Sequence, residues 1–362
     1  MGSTLMQRLI EHPNAKVVAL HQRSRENAVA TLEEMGLPAS AYHDDYAEML
    51  ANPEVDAVFL CSPNSSHGPQ SIAAMEAGKH VFCEKPCSTT FADFERQLEL
   101  AKAYPELITY VNYLLNFDPM EQRLLKMVKG GTFGTITQLQ VNYRHPINIS
   151  EDKVWKLSRE IMGDAIGMGI IHALSVMLNI MAAQGARPVR VYATSGGEKT
   201  RPFEVDAIYN IQVEFSNGAS GCCLGNVDQA NGYDAYHNLH GTKGGFIFDS
   251  YLERSHKVRY WSETETEREW IRPLDPASSA EHFWGEETTT PDSGDVMQHQ
   301  TGSCVEHFID CVRSGEQSFL GFENSASTAE LGWGILLSVA TGAPVDFPLD
   351  RKIARAHFDD ES

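Results

Sequence analysis

Short apolar runs alternate with helical segments through the first third of the chain, and this alternation most constrains the fold. The runs "AKVVAL", "VDAVFL", "HVFCEK" and "ITYVNY" are typical of buried strands. Segments with helical spacing separate them, among them "RENAVATLEEMGL" and "GPQSIAAMEAGK". Strands that alternate with helices through short connections form a parallel sheet with helices on both faces. We therefore predict an α/β fold that begins with a doubly wound parallel sheet.

The pattern changes from about residue 117 onward. The runs "TITQLQVNYRH", "VRVYATSG" and "EVDAIYNIQVEFSNGASGCCLGNV" alternate polar and apolar residues and end in Gly or Asn-Gly turns, as antiparallel strands do. The apolar segment "GDAIGMGIIHALSVMLNIMAAQ" predicts a helix that packs on this sheet. We expect two domains, residues 1–116 with the parallel sheet and residues 117–362 with a large, mainly antiparallel sheet.

The charge balance excludes several classes of partner. Lys and Arg number 29 against 49 Asp and Glu, which gives a formal net charge of -20. Such a field repels phosphate backbones and anionic lipid surfaces, so we expect no nucleic-acid or membrane partner. No apolar run approaches the roughly 20 residues that span a bilayer, and the first residues do not resemble a signal peptide. A cytoplasmic location is expected.

Seven cysteines are present, and several lie inside apolar runs such as "VFLCSP" and "HVFCEKP". An odd number of cysteines in apolar surroundings indicates reduced, buried thiols and not a disulfide framework. Their spacing does not match a zinc site. We therefore expect no metal in this protein.

The residues that follow the predicted parallel strands are the first candidates for a ligand site, because ligands bind beyond the carboxyl ends of such strands. They are Cys61, Ser62, Pro63, Asn64 and His67 after the second run, Glu84 and Lys85 after the third, and Asn112 after the fourth.

Several of these segments carry a family resemblance. "VDAVFLCSPNSSH", "AMEAGKHVFCEKP" and "VNYLLNFDP" resemble the Gfo/Idh/MocA family of oxidoreductases, and the likeness continues through "GTFGTI", "GDAIGMGIIH" and "ATGAPVDFP". The resemblance implies a Rossmann domain that binds NAD or NADP. It also implies a second domain whose open sheet supplies the substrate wall and the interface of a homodimer or homotetramer.

The resemblance also implies catalytic roles for two residues. Lys85 would polarise a substrate oxygen, Glu84 would hold this lysine or a cofactor hydroxyl, and a cis bond would join Lys85 to Pro86. His172, in "GMGIIHAL", would accept or return the hydroxyl proton. The alternatives are an ordinary surface lysine and a histidine of the core.

The second domain departs from the family pattern beside His172. Met168 and Ser175 stand where the family often has Asp, and Asp164 lies one turn further back. A changed substrate or proton route follows if His172 is catalytic, and loss of activity is an alternative. The expected substrate-binding residues are Tyr143, Trp155, Lys156, Asp164 and Met168, together with Lys85 and His172; His145 and Asn148 are weaker candidates.

The choice of cofactor depends on the end of "AKVVALHQRSR". NAD enzymes usually carry Asp or Glu there to bind the ribose hydroxyls, whereas this chain has Gln22, Arg23, Ser24 and Arg25. Two guanidinium groups and a hydroxyl suit a 2'-phosphate, so the residues favour NADP over NAD. The alternative is that one arginine stacks on adenine while the other is solvated.

The opening stretch "MGSTLMQRLIEHPNA" is typical of the helix that follows a glycine loop. Gly2 then corresponds to the last glycine of that loop, where it would contact the cofactor. We expect a first strand and most of the loop to precede Met1 in a longer chain; the alternative is a domain that folds without its central strand.

Three functions are compatible with these residues. The first is an NAD(P)-dependent dehydrogenase or reductase that acts on a hydroxyl or carbonyl group of a sugar, polyol or related small molecule. The second is an NAD-dependent glycosidase on the same fold, and the third is a non-catalytic, ligand-binding relative. We rank them in that order.

Overall fold

The computed structural model of the protein describes residues 1–228, 236–248, 258–271 and 300–359. The helices are α1 (Gly2–Glu11), α2 (Arg25–Glu34), α3 (Tyr46–Ala51), α4 (His67–Glu76), α5 (Phe91–Ala103), α6 (Pro119–Lys129), α7 (Arg159–Met162), α8 (Ile171–Ala182), α9 (Thr301–Ser314), α10 (Ala326–Thr341) and α11 (Arg351–Phe358). The strands are β1 (Leu20–His21), β2 (Tyr42–His43), β3 (Ala57–Leu60), β4 (His80–Cys83), β5 (Thr109–Val111), β6 (Ile136–Arg144), β7 (Pro188–Ser195), β8 (Ile208–Phe215), β9 (Ser220–Asn226), β10 (His237–Gly241), β11 (Gly244–Phe248), β12 (Val258–Ser262) and β13 (Val345–Asp346).

The chain divides into two compact units. The first contains Met1–Asn112 and Gln300–Ala326, and the second contains Tyr113–His299 and Ser327–Ser362. The sequence predicted a single boundary after residue 116 and did not predict the return of residues 300–326 to the first unit. Aromatic packing accounts for this return, because Phe308 of α9 lies edge-on at 5.3 Å from Phe59 and 5.6 Å from Phe82.

The sheet core of the first unit is the parallel set β3-β4-β5, as the sequence predicted. Leu60 pairs with Cys83 and Cys83 with Val111, so the three strands end at nearly the same level. Burial on both faces explains why these strands are almost continuously apolar.

The run "AKVVAL" forms less strand than its apolar pattern predicted. Only Leu20–His21 is paired, in parallel with Tyr42–His43, and residues 15–20 are not buried. Within residues 1–112, all of which the structure describes, no strand pairs with the other side of β1. A strand with one neighbour is held by half the hydrogen bonds of an inner strand, which accounts for its shortness.

The second unit is built on an eight-stranded sheet in the order β12-β11-β10-β6-β9-β8-β7-β13. The pair β6–β9 is parallel and the other pairs are antiparallel, which confirms the predicted, mainly antiparallel sheet. Strand β8 alternates buried and exposed residues, while α8 is buried along most of its length against β6 and β9. Over the described part of the chain, no helix is long and apolar enough to cross a membrane.

Candidate active site

The carboxyl ends of β3, β4 and β5 bring the predicted polar residues of the first unit to one edge of the sheet. Asn112 follows β5 and is fully buried. Its side-chain Nδ2 donates to Oε1 of Glu84 at 2.7 Å, and its backbone N–H donates to the carbonyl of Cys83 at 2.8 Å. The carboxylate of Glu84 is therefore fixed in place at the end of β4.

Lys85 follows Glu84 and precedes Pro86, and the peptide bond that joins Lys85 to Pro86 is cis, as the resemblance implied. Burial lowers the pKa of the Lys85 ammonium, while the neighbouring Glu84 carboxylate acts in the opposite direction. A lysine with a lowered pKa exchanges a proton more easily near neutral pH. Such a group can donate a hydrogen bond to a substrate oxygen.

The segment after β3 is held by its own side chains. Ser62 donates from its hydroxyl to Oε1 of Gln70 at 2.6 Å, and Asn64 is buried, whereas Pro63 is exposed. His67 begins α4 with its ring in the interior, where the two ring nitrogens lie 2.7 and 2.8 Å from backbone carbonyl oxygens. The ring of His67 is therefore buried beneath the segment 61–66 and supports this segment from the interior.

Gly2 is the first residue of α1. A Cβ atom at this position would lie 3.4 Å from the Cβ of Cys61, directly after β3. Such a close approach of helix to strand is the task of the last glycine in a dinucleotide-binding loop. The assignment of Gly2 to the cofactor site stays a prediction.

The four residues after β1 are arranged as a surface segment. Arg23 is exposed, and Ser24 caps α2 by accepting from the backbone N–H of Asn27 at 3.3 Å. The guanidinium of Arg25 lies 5.7 Å from the centroid of the Tyr42 ring. The carbonyl of Gln22 faces the hydroxyl of this tyrosine at 3.5 Å. The segment has two cations and no carboxylate of its own.

His172 lies in the first turn of α8 in the second unit and is 5% exposed. A π-helical turn, Ile166–Ile170, leads directly into this helix, and such turns often occur at functional sites. The ring of Tyr143, at the end of β6, lies 6.0 Å from the ring of His172. The structure thus brings together two of the predicted substrate-binding residues.

The residues that replace the usual Asp pair have other contacts. Ser175 accepts a hydrogen bond from the side-chain amide of Asn116 at 2.7 Å, and Met168 is 9% exposed. Asp164 accepts from the backbone N–H of Gly167 at 2.7 Å, and burial raises the pKa of its carboxyl group. Asp164 therefore stabilises the start of the π-helical turn in addition to any contact with substrate.

Trp155 and Lys156 lie beside the loop that follows β6. The Lys156 ammonium donates to the carbonyl of Asn148 at 3.1 Å and lies 5.9 Å from the Trp155 ring centroid. His145 lies 6.1 Å from the Tyr143 ring, edge to face. The second unit therefore holds these candidates in two contacts, one between Lys156, Trp155 and Asn148 and one between Tyr143 and His145.

All seven cysteines are free thiols. Burial raises the pKa of Cys87 to about 11 and raises that of Cys61 and Cys83 as well, so these thiols are not reactive at neutral pH. In the ranges that the structure describes, no group of three or more His, Cys, Asp or Glu side chains could hold a metal ion.

Two models of one family match the chain. The model described as "Oxidoreductase family, NAD-binding Rossmann fold" matches residues 1–113. The model described as "GFO/IDH/MocA C-terminal domain" matches residues 122–247. Together they cover the parallel-sheet segment and most of the antiparallel sheet.

Two curated relatives support this assignment. The uncharacterized oxidoreductase YrbE of Bacillus subtilis is 28% identical over 69% of this chain and 71% of its own length. The myo-inositol 2-dehydrogenase of Thermotoga maritima is 30% identical over 63% of this chain and 66% of its own length.

Solved structures show the same fold. A levoglucosan dehydrogenase in complex with NADH and levoglucosan has a TM-score of 0.78 at 19% identity, covering 96% of this chain and 97% of that one. An aldose-aldose oxidoreductase from Caulobacter crescentus, complexed with glycerol, has a TM-score of 0.74 at 23% identity, covering 95% of both chains. With both domains matched, this chain belongs to the GFO/IDH/MocA family of NAD-binding oxidoreductases.

Proposed function

We propose that the protein is an NAD(P)-dependent dehydrogenase or reductase that acts on a hydroxyl or carbonyl group of a sugar or polyol. The observation that carries the proposal is the fixed Glu84 carboxylate, which Asn112 holds at 2.7 Å beside the partly buried Lys85. A fixed acid–lysine pair at the carboxyl ends of parallel strands suits a reaction that develops charge on a substrate oxygen. The names of the relatives support a small polyhydroxy substrate.

The first unit offers a fitting place for a nicotinamide dinucleotide. Gly2 lets α1 start close to Cys61, and a helix start of this kind leaves backbone N–H groups for a pyrophosphate. The residues that would hold the cofactor are Gly2, Gln22, Arg23, Ser24, Arg25, Cys61, Ser62, Pro63, Asn64, Glu84, Lys85 and Asn112, with His67 behind them. When bound, the nicotinamide gives or takes the hydride.

The segment after β1 favours NADP within this proposal. Arg23 and Arg25 are exposed, and no carboxylate stands in the segment Gln22 to Arg25 to repel a 2'-phosphate. Guanidinium groups bind phosphate through paired hydrogen bonds. The contact of Arg25 with Tyr42 leaves Arg23 as the stronger candidate for this phosphate.

Lys85 acts on the substrate oxygen in this mechanism. Its ammonium donates a hydrogen bond that polarises a carbonyl during reduction or stabilises an alkoxide during oxidation. Its lowered pKa keeps the energy of proton transfer to that oxygen small. The bond from Asn112 holds the Glu84 carboxylate in place, and this negative charge favours the protonated form of the neighbouring Lys85.

His172 exchanges the hydroxyl proton, because a histidine side chain gains and loses a proton near neutral pH. Tyr143 lies beside its ring, with the two ring centroids 6.0 Å apart. Trp155, Lys156, Asp164 and Met168 are the further substrate contacts, and an indole face suits the apolar side of a sugar ring. Met168 contributes an apolar surface in place of the usual carboxylate.

Turnover of polyols and aldoses with NAD and NADP tests the proposal. Lys85→Ala is expected to lower kcat by about 10²- to 10⁴-fold, because it removes the group that polarises the substrate oxygen. The matched control is Lys102→Ala, an exposed lysine of α5, which is expected to leave kcat unchanged. His172→Asn is expected to lower kcat as well, because it removes the group that exchanges the hydroxyl proton.

A Lys85→Ala variant with wild-type turnover would contradict the proposed role. The same assay separates the alternatives, because a glycosidase releases the leaving group of a nitrophenyl glycoside without a net change in nicotinamide absorbance. A non-catalytic relative binds the cofactor but turns over no substrate.

A further inference from the structure

His67 has carbonyl oxygens at both nitrogens of its ring. Nδ1 lies 2.7 Å from the carbonyl oxygen of Pro86, and Nε2 lies 2.8 Å from the carbonyl oxygen of Ser62. The side chain is 1% exposed. The ring therefore links the segment after β3 to the segment after β4.

This geometry determines how many protons the ring carries. A carbonyl oxygen only accepts hydrogen bonds, and a neutral imidazole has one N–H and one lone pair. A lone pair directed at a carbonyl oxygen at this distance is repulsive. Two good contacts therefore require both nitrogens to donate, which only the imidazolium does.

The surroundings act on this charge in both directions. Burial has the largest effect and leaves the pKa of His67 lowered; Lys85 also lowers it, while the bonds to Pro86 and Ser62 and the charge of Glu84 act in the opposite direction. On the side of α5, Asp93 packs against the next residue, Gly68. The two carbonyl oxygens stabilise the imidazolium by accepting hydrogen bonds from it. Loss of one proton removes one of these two hydrogen bonds.

A second side chain holds the same segment. Gln97 of α5 donates to the carbonyl of Cys87 at 2.8 Å and to the hydroxyl of Ser71 at 2.7 Å. The backbone on the C-terminal side of Lys85 is thus fixed at Pro86 by His67 and at Cys87 by Gln97. The bond from Asn112 to Glu84 fixes the N-terminal side.

We infer that His67 is a positioning residue for Lys85, which as an imidazolium ties the Ser62 and Pro86 carbonyls together and so fixes the backbone that carries the lysine. The inference rests on the proposed role of Lys85 in hydride transfer. A displacement of about 1 Å in a reacting group can lower a rate by about a hundredfold. His67 controls the rate through the lysine and does not touch the substrate.

The comparison of wild type with His67→Gln tests this inference, because both N–H groups of a glutamine amide project from one nitrogen, whereas the imidazolium donates from two nitrogens on different sides of its ring. At pH 5, kcat is expected to fall by about tenfold to a hundredfold, while the Kd for NADPH changes less than the rate does. The ratio of the wild-type kcat to the His67→Gln kcat is expected to decline toward 1 as the pH rises. The reason is that a deprotonated His67 donates only one hydrogen bond and loses its advantage over glutamine.

The matched control is His80→Gln at the opposite end of β4, where the ring accepts from the backbone N–H of Ile108 at 2.9 Å. It is expected to leave the pH dependence of kcat unchanged. A constant ratio between wild type and His67→Gln across this pH range would overturn the inference.

A second measurement does not depend on activity. In the full chain labelled with ¹⁵N-histidine, the His67 signals are identified by their loss in His67→Gln. Both ring nitrogens are expected to be protonated at pH 5. One protonated and one bare nitrogen at that pH would overturn the inference, even in a chain for which no substrate is turned over.

Discussion

The absence of a side chain at Gly169 determines how close Tyr143 can lie to the helix that carries His172. A Cβ atom at this position would lie 2.8 Å from Cε1 of Tyr143 and 3.3 Å from Cγ1 of Val227. The residue lies in the π-helical turn Ile166–Ile170, one turn before His172. The space left by this glycine is filled by the tyrosine ring.

Gly169→Ala is expected to displace the Tyr143 ring and to destabilise the second unit by about 1–3 kcal/mol, the usual result of overpacking a core. Urea unfolding measures this loss, and kcat is expected to fall because the ring beside His172 moves. The control is Gly332→Ala in α10, where a Cβ atom would lie 3.5 Å from Ile171 and meets no clash. Equal stabilities of the two variants would contradict this interpretation.

At the scale of single residues, the sequence predicted which side chains lie at the strand ends better than it predicted their orientation. Glu84, Lys85 and Asn112 were found because the carboxyl ends of parallel strands meet at one edge. The same argument from strand ends predicted that His67 lies in the cofactor site. It could not show that the ring faces two carbonyl oxygens. Gln97 and Gly169 were missed, because their contacts lie on other elements.

At the scale of elements, α6 begins at a carboxyl group that is a weaker acid than usual. Asp118 caps the helix by accepting from the backbone N–H of Met120 at 2.8 Å. Burial, followed by the charge of Glu121, raises the pKa of Asp118 to about 7. Asp118 therefore binds more protons in the folded protein than in the unfolded chain between about pH 4 and pH 7, and its contribution to stability falls as the pH rises through this range.

Asp118→Asn keeps a capping oxygen but has no charge to bury. At pH 8 the variant is expected to be more stable than wild type by about 2–4 kcal/mol, since one pKa unit corresponds to about 1.4 kcal/mol. At pH 4 the two are expected to be equally stable. Asp350→Asn, at the exposed cap of α11, is the control, and an identical response of both variants at pH 8 would contradict the account.

The sequence predicted most elements of the first unit but not their extent or their partners. The run "AKVVAL" has the apolar pattern of an inner strand, yet only Leu20–His21 is paired, because one neighbouring strand is present. Helical periodicity likewise does not identify the surface on which a helix such as α9 packs. Contacts of Phe308 with Phe59 and Phe82 decide that question.

At the scale of the whole molecule, the family resemblance predicted the combination of a parallel sheet with an open, mainly antiparallel one. Motifs such as "HVFCEKP" extend across strand and loop, so they identify a fold more specifically than periodicity does. An assembly through the open sheet, a preference for NADP and the identity of the substrate remain predictions, because none of them is encoded in a single element.

Binding of a nicotinamide dinucleotide is the central claim, and a fluorescence titration of the full chain with NADH and NADPH tests it most directly. Saturable binding of both is expected, with the smaller Kd for NADPH. Arg23→Ala is expected to raise the Kd for NADPH and to leave that for NADH nearly unchanged, because only the former carries a 2'-phosphate. Failure of the chain to bind either nucleotide would contradict the account.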